Sequence, residues 1–450
     1  MKTVTQTNLL NLLNILNILN KKQKMNFSNT LSYAQQLDEQ DSLKNFRDQF
    51  YIPIVNGKEC IYLTGNSLGL QPKKTQEYVL DELEDWATHG VEGHFHARTP
   101  WVSYHEIFHD QLAEIVGGLP EEIVAMNQLT VNLHLLMISF YRPTKERYKI
   151  ICEAKAFPSD QYAFQSQVKL HGYHPDDAII EVHPKAGKAT IDKEDILDTI
   201  KKHGNETALV IFGGVNYYSG QVFDMQAICK AAHEVGACCG FDLAHAAGNI
   251  NLELHDWNVD FACWCSYKYL NSGPGGVAGA FIHQRHIANE SLIRLAGWWG
   301  HNKDTRFKME KEFHPMTTAE GWQLSNAPVL SMSAHKASLD IFSEAGMHNL
   351  VAKGKLLSSY LLFILNEINH LTNHNIIDII TPLNENERGC QVSMLMLEDG
   401  KRIFDELIKA GVIADWREPN VIRVAPVPLY NRFEDIYHFG EIIKGFITHK

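Results

Sequence analysis

The sequence predicts an α/β protein with a mostly parallel sheet in a large domain, followed by a smaller α+β C-terminal domain. Three observations predict it. Short apolar runs rich in strand formers recur through the middle of the chain, helical patterns separate some of them, and the texture changes beyond about residue 325. Strand, helix, strand, repeated, is the signature of βαβ units and a parallel sheet covered on both faces.

The strand-like runs are Tyr148–Ala154, Ala208–Phe212, Cys238–Asp242, Phe261–Cys265 and Val277–Ile282. The clearest helix lies over Asp224 to Val235, with Met225, Ile228, Ala232 and Val235 on one face and Gly236 as its stop. Glu121 to Phe140 reads as a strand-like start and then an apolar helix from Val131. In the C-terminal part, helices at Ser331–Ala345 and Leu350–Ile368 precede strand-like runs at Ile376–Ile380, Gln391–Leu397 and Val421–Val424. Further helices are expected at Arg402–Ala410 and Phe433–Ile447. The expected divisions are a tail over 1–24, a segment over 25–70 packing on the small domain, the large domain over 71–324 and the small one over 325–450.

With 45% apolar and 21% charged residues, the 450-residue chain is not disordered, collagen-like or coiled-coil, and its core needs neither disulfide nor structural metal. A net charge of −12 argues against general binding to nucleic acid or an anionic membrane. The eight cysteines show no framework spacing, which reads as reduced thiols in a cytoplasmic protein. No run reaches the ~18 apolar residues that span a bilayer. The N-terminal NLLNLLNILNILN (8–20) lacks a clean apolar stretch and a cleavage site, so it reads as a low-complexity extension, with Met25 an alternative start.

In an open parallel sheet, ligands sit beyond the carboxyl ends of the strands. Asp242 closes one strand-like run, and Lys268 follows the next through Ser266-Tyr267. Pyridoxal phosphate needs a lysine amine for its Schiff base and a carboxylate to keep its ring nitrogen protonated. The bland readings are a snorkelling lysine and a helix cap. Gly273, Gly275, Gly276 and Gly279 favour close approach of something to the backbone.

Six words then carry a resemblance: LTGNSLGLQP (63–72), MNQLTVNLHLLM (126–137), EAKAFPSDQYA (153–163), FDLAHAAGN (241–249), CSYKYLNSGPGG (265–276) and VAPVPLYN (424–431). In this order the chain resembles the kynureninase family, of the type I pyridoxal-phosphate (aspartate-aminotransferase-like) fold, from about residue 45 to the C-terminus. The resemblance implies hydrolytic Cβ–Cγ cleavage of L-kynurenine or its 3-hydroxy form, giving alanine and anthranilate or 3-hydroxyanthranilate. It makes Lys268 the Schiff-base lysine, Asp242 the partner of the ring nitrogen, and Tyr267 a phosphate contact and proton relay. His245 is expected near the ring oxygen, Phe157 on the ring face and Asp160 at the cofactor edge. Leu129 and Thr130 open a helix, where free N–H groups and the helix dipole suit phosphate.

The resemblance further implies a homodimer, with Trp298 and Asn326 reaching the neighbouring subunit's site; adjacent Trp299 is indistinguishable from Trp298 by sequence. Arg423 is expected to clamp the substrate carboxylate, a bidentate task that suits a guanidinium. Its bland reading is a surface salt bridge. His94, Ser325 and Asn326 are expected to face the aromatic end of the substrate, and His96 is incidental. One departure stands out: Gly213 occupies a position where the family is expected to carry a small hydroxyl residue near the phosphate, unless Ser219, a backbone N–H or a water replaces it.

Two other readings stay open. One is a cysteine desulfurase or aminotransferase on the same fold. A desulfurase requires a nucleophilic cysteine in a mobile C-terminal loop, and Cys390, the only candidate beyond 265, opens a strand-like run. The other is a non-catalytic member, against which stand Lys268, Asp242, Tyr267 and Arg423 together.

Overall fold

Seven strands form one sheet in the computed structural model, which describes residues 27–289, 291–371 and 375–448. The tail over 1–24 lies outside the described residues. Across the sheet the order is Ile123–Ala125, Gly279–Ile282, Phe261–Trp264, Cys238–Asp242, Thr207–Gly213, Lys149–Glu153 and Ile179–Val182. Neighbours from Phe261–Trp264 to Ile179–Val182 run parallel, whereas Gly279–Ile282 is antiparallel to both its neighbours.

Alternate residues of these strands enter two different cores. Val210, Phe212, Cys239, Phe241, Ala262 and Trp264 face one, with Met225, Ile228 and Ala232 of the helix Met225–Glu234. Leu209, Ile211, Phe261, Cys263 and Ala280 face the other, with Leu133, Leu136 and Phe140 of the helix Leu129–Phe140. Burial on both faces is why the strands read as continuous apolar runs instead of alternating ones. Gly236 follows Met225–Glu234 at φ +75°, a conformation that stops the helix at little steric cost.

A third core lies around an antiparallel sheet in the order Ile377–Ile379, Val392–Met396, Val421–Val424, Asp415–Arg417. The helices Met347–His370 and Phe433–Thr448 cover it, and Ala34 and Leu63 join it from the N-terminal segment. Helix Val329–Ala345 instead gives Met332, Leu339 and Phe342 to a core of the large sheet. In these two larger sheets, two strands escape a periodicity reading. Ile179–Val182 is a partly exposed edge strand, and Asp415–Arg417 has no apolar run.

The N-terminal segment is tied to the C-terminal one by charge as well as packing. Asp38 accepts the N–H groups of Phe433 at 2.7 Å and Glu434 at 2.9 Å, so it caps the last helix from a distant part of the chain. Removing such a cap costs about 1 kcal/mol. Asp38→Ala is therefore expected to lose about that much stability in denaturant titration, with Asp38→Asn losing less. All eight cysteines are free. Among the described residues, no helix is long and apolar enough to cross a membrane.

Candidate active site

Lys268 lies one short turn beyond the carboxyl end of Phe261–Trp264, and its Nζ is 3.0 Å from His245 Nε2. It also stands over the Phe157 ring, 5.9 Å from the centroid. Burial, and next the Lys268 charge, hold His245 well below the ordinary histidine range. A neutral imidazole therefore accepts from the lysine amine, while its buried Nδ1 has no partner.

Asp242 ends Cys238–Asp242, is buried, and accepts the Ala244 N–H at 2.7 Å. Asp160, in the first turn of the helix Pro158–Leu170, bonds to it side chain to side chain. Two interacting buried carboxyls do not both ionise. Burial raises both, and the neighbouring Asp242 raises Asp160 further, so Asp160 keeps the proton and donates it to Asp242. Neither carboxyl has an ion-pair partner among the described residues, and Asp160 Oδ1 is buried without a hydrogen bond. A cationic ring N–H is the group this pair lacks, so the donor set fits pyridoxal phosphate.

Two helix N-termini also meet at the site. Thr130, the second residue of Leu129–Phe140, hydrogen-bonds Ser159, the second residue of Pro158–Leu170, at 2.6 Å. Free N–H groups and aligned dipoles at such ends suit a phosphate. Ser266 Oγ, next to Tyr267, is buried and unpartnered. Ser159 and Ser266 were not singled out from sequence, although both sit inside recognised words. Burial raises the Tyr267 phenol, with Cys265 adding to the shift. The word at 63–72 acquires a reason here. Gly69 donates to Tyr267 O at 2.8 Å, and a Cβ on it would lie 2.4 Å from Lys268 O.

Arg423 is fully buried in Val421–Val424, not on the surface. Its guanidinium donates to Asp415 and to Tyr217 O, and its Nε is unpartnered. Tyr217 packs edge-on against Phe157 at 5.2 Å, which links the arginine to the face above Lys268. Tyr217 gave no signal in the sequence because its partner Arg423 is 206 residues away, and Asp415 gave none because its polar strand carries no apolar run, although Arg423 faces it on the next strand.

His94, Trp298, Ser325 and Asn326 do not join this cluster within the chain. Ser325 and Asn326 are exposed, Trp298 is 44% exposed with its Nε1 donating to Arg306 O, and His94 bonds Val91 O. Trp299 is buried over Arg306, so Trp298 is the tryptophan that a second subunit can meet. His96 is exposed beside Glu92. Close approach to the backbone holds at Gly276 and Gly279, where the chain's own Ser272 and Trp264 come near, while Gly273 and Gly275 stand at positive φ with no neighbour of this chain within 4 Å and serve the turn.

A lysine and a buried aspartate at adjacent strand ends of a seven-stranded α/β sheet define a pyridoxal-phosphate enzyme of the class V aminotransferase type. Residues 61–388 match the family model Aminotransferase class-V, and residues 350–443 match the Kynureninase C-terminal domain. Kynureninases from Flavobacterium psychrophilum and Myxococcus xanthus are 58% and 50% identical to the chain, each over 93% of it and over 99% and 98% of their own lengths. That of Nematostella vectensis is 48% identical over 92% of this chain and 93% of its own. The chain belongs to the kynureninase family: its cofactor is pyridoxal phosphate and its reaction is hydrolysis of a carbon–carbon bond of kynurenine.

Solved structures agree on the fold. A C-DES variant with glycine covalently linked to its PLP cofactor and a cysteine desulfurase from Thermococcus onnurineus each superpose with a TM-score of 0.73 at 16% identity. They cover 88% and 90% of this chain and 98% of each of those chains. That identity speaks to fold alone. Cys390 is buried, donates its N–H to Asn249, and has its thiol pushed up to about 12 by burial, which is unlike a mobile nucleophile.

Proposed function

We propose that Lys268, Asp242, His245, Tyr267 and Arg423 carry the hydrolysis of L-kynurenine, or its 3-hydroxy form, to alanine and the matching anthranilate. The observation that carries this reading is the Lys268–His245 contact beside a buried carboxyl pair that has no ion-pair partner among the described residues. Pyridoxal phosphate, when bound, supplies an electron sink conjugated to the substrate's amino-bearing carbon. Asp242 holds the proton on the ring nitrogen and so keeps that sink effective. Asp160 holds Asp242 in place through its own proton. Phe157 covers one face of the ring, and Leu129, Thr130 and Ser159 receive the phosphate.

Arg423 binds the substrate's α-carboxylate. Asp415 is shared between Arg423 and Arg417, so the two guanidiniums retain one net positive charge for the incoming anion. Lys268 would take the α-proton on its Nζ, which neutral His245 orients. Tyr267 moves a proton at the γ-carbonyl or the β-carbon while water adds to that carbonyl and the Cβ–Cγ bond breaks. Trp298 and Asn326 act from the partner subunit of a homodimer, where their exposure in the single chain makes them available, and His94, Ser325 and Asn326 face the aromatic end of the substrate. The same reading places the protein in the cytoplasm, in tryptophan degradation or on a route to nicotinamide nucleotides.

Product analysis tests the reaction: alanine and anthranilate must appear in equal amounts from L-kynurenine. Transamination would leave the carbon–carbon bond intact and release no alanine. Tyr267→Phe tests the relay. It is expected to slow turnover about 10²-fold, within the usual range for a general acid–base, with little change in cofactor affinity. Weakened cofactor binding with an unchanged chemical step would reduce Tyr267 to an anchor.

A further inference from the structure

Position 213 ends the strand Thr207–Gly213, opposite Asp242 in the parallel register. A Cβ built there would lie 2.9 Å from Glu153 Oε1, closer than real side chains come. Glu153 ends the adjacent strand Lys149–Glu153, is 4% exposed, and accepts the Gly213 N–H at 2.9 and 3.2 Å with its two oxygens. Ser219 does not take over the place of a side chain at 213, because its Oγ donates to Asn216 Oδ1 at 3.1 Å. The hydroxyl expected at 213 is thus replaced by a carboxyl reaching across from the next strand. It stands close enough to Asp242 and Asp160 to act on both electrostatically.

We propose that Glu153 is a positioning residue of the cofactor site, and that Glu153 and Gly213 work as one unit. The Glu153 carboxyl binds the end of the neighbouring strand, fills the volume a side chain at 213 would need, and thereby sets where Asp242 stands. The proposal rests on the reading of Asp242 as the ring-nitrogen partner.

Buried backbone N–H groups require acceptors, and without Glu153 the Gly213 N–H loses the one it has here. Carboxylate chemistry adds a second role. Burial, with Asp242 next, pushes Glu153 up to about 7. The titratable groups that face it are Asp242 from two strands away, Asp160 on the following helix and Cys152 beside it. A cationic ring nitrogen at Asp242 favours the ionised form of Glu153, so Glu153 adds negative charge behind Asp242 when the cofactor is in place.

The test is a double-mutant cycle on apo protein titrated with pyridoxal phosphate, read by tryptophan fluorescence, with apo melting recorded alongside. Glu153→Ala and Gly213→Ser are each expected to weaken cofactor binding about tenfold, and the double variant to bind tighter than either single one, since contacting residues couple strongly. Glu153→Gln keeps an acceptor for the Gly213 N–H and should bind within about threefold of wild type. In loaded Glu153→Gln protein, the pH midpoint of the cofactor's visible band is expected to fall, because the charge behind Asp242 is gone. That midpoint distinguishes positioning from mere structural support. The inference is overturned if the two single effects multiply, if Glu153→Ala binds like wild type, or if the midpoint does not move in Glu153→Gln. If Asp242→Asn leaves both affinity and band unchanged, the underlying reading falls first, and the inference with it.

Discussion

Lys268→Ala is expected to lower anthranilate release at least about a thousandfold and to remove the visible band of the cofactor-loaded protein. The lysine has two tasks in this account: it holds the cofactor and it moves the α-proton. A bystander would do neither. The loss cannot be assigned to unfolding, because the amine is held by a single hydrogen bond, to His245, and a contact with the Phe157 ring. The variant should therefore melt near the wild-type apo protein, and circular dichroism with a melting scan checks this. A variant that kept the band would move the Schiff-base role to another amine.

Asp242→Asn is the second large effect, and its sign differs between function and stability. Turnover is expected to fall about 10²- to 10³-fold, because an amide cannot hold a proton on the ring nitrogen and the preorganised charge is lost. The apo protein, by contrast, should gain stability. Asp242 and Asp160 are buried together with no ion-pair partner among the described residues, and burial outweighs the lowering effect of the Lys268 charge to hold the Asp242 pKa above its unfolded value. Such a group favours the folded state at low pH and loses that contribution as pH rises through its folded pKa. The stability gap between variant and wild type should thus be small near pH 4 and widen upward from the unfolded aspartate value of about 3.9. Denaturant titrations of both apo proteins across that window measure it. A gap that narrows as pH rises would show that Asp242 is paired with a cation in the apo protein.

Much of the large sheet was readable because its strands are buried on both faces. Runs such as Ala208–Phe212 and Phe261–Cys265 need no partner in view to be recognised. Ile179–Val182 and Asp415–Arg417 were not readable, since a partly exposed edge strand and a polar strand carry no continuous apolar run and owe their conformation to the strand each pairs with. The same division runs through the site. Asp242 and Lys268 were legible because strand ends in a parallel sheet converge. Tyr217 and Glu153 acquire meaning only through Phe157 and Gly213, each 60 residues away, and Asp415 only once its strand is seen to pair with that of Arg423. Gly213 read as a missing hydroxyl, and only the fold reveals the carboxyl that stands in its place. Trp298 and Trp299 were equivalent by sequence, and burial separates them.

The most direct test of the account places L-kynurenine and L-cysteine in parallel with the pyridoxal-phosphate-loaded protein, following anthranilate fluorescence in one and sulfide in the other. The account predicts anthranilate from L-kynurenine at a rate that Lys268→Ala abolishes, and no sulfide above the same control. Sulfide from cysteine with no anthranilate would keep the fold and the lysine but contradict the assignment of this site to carbon–carbon bond cleavage.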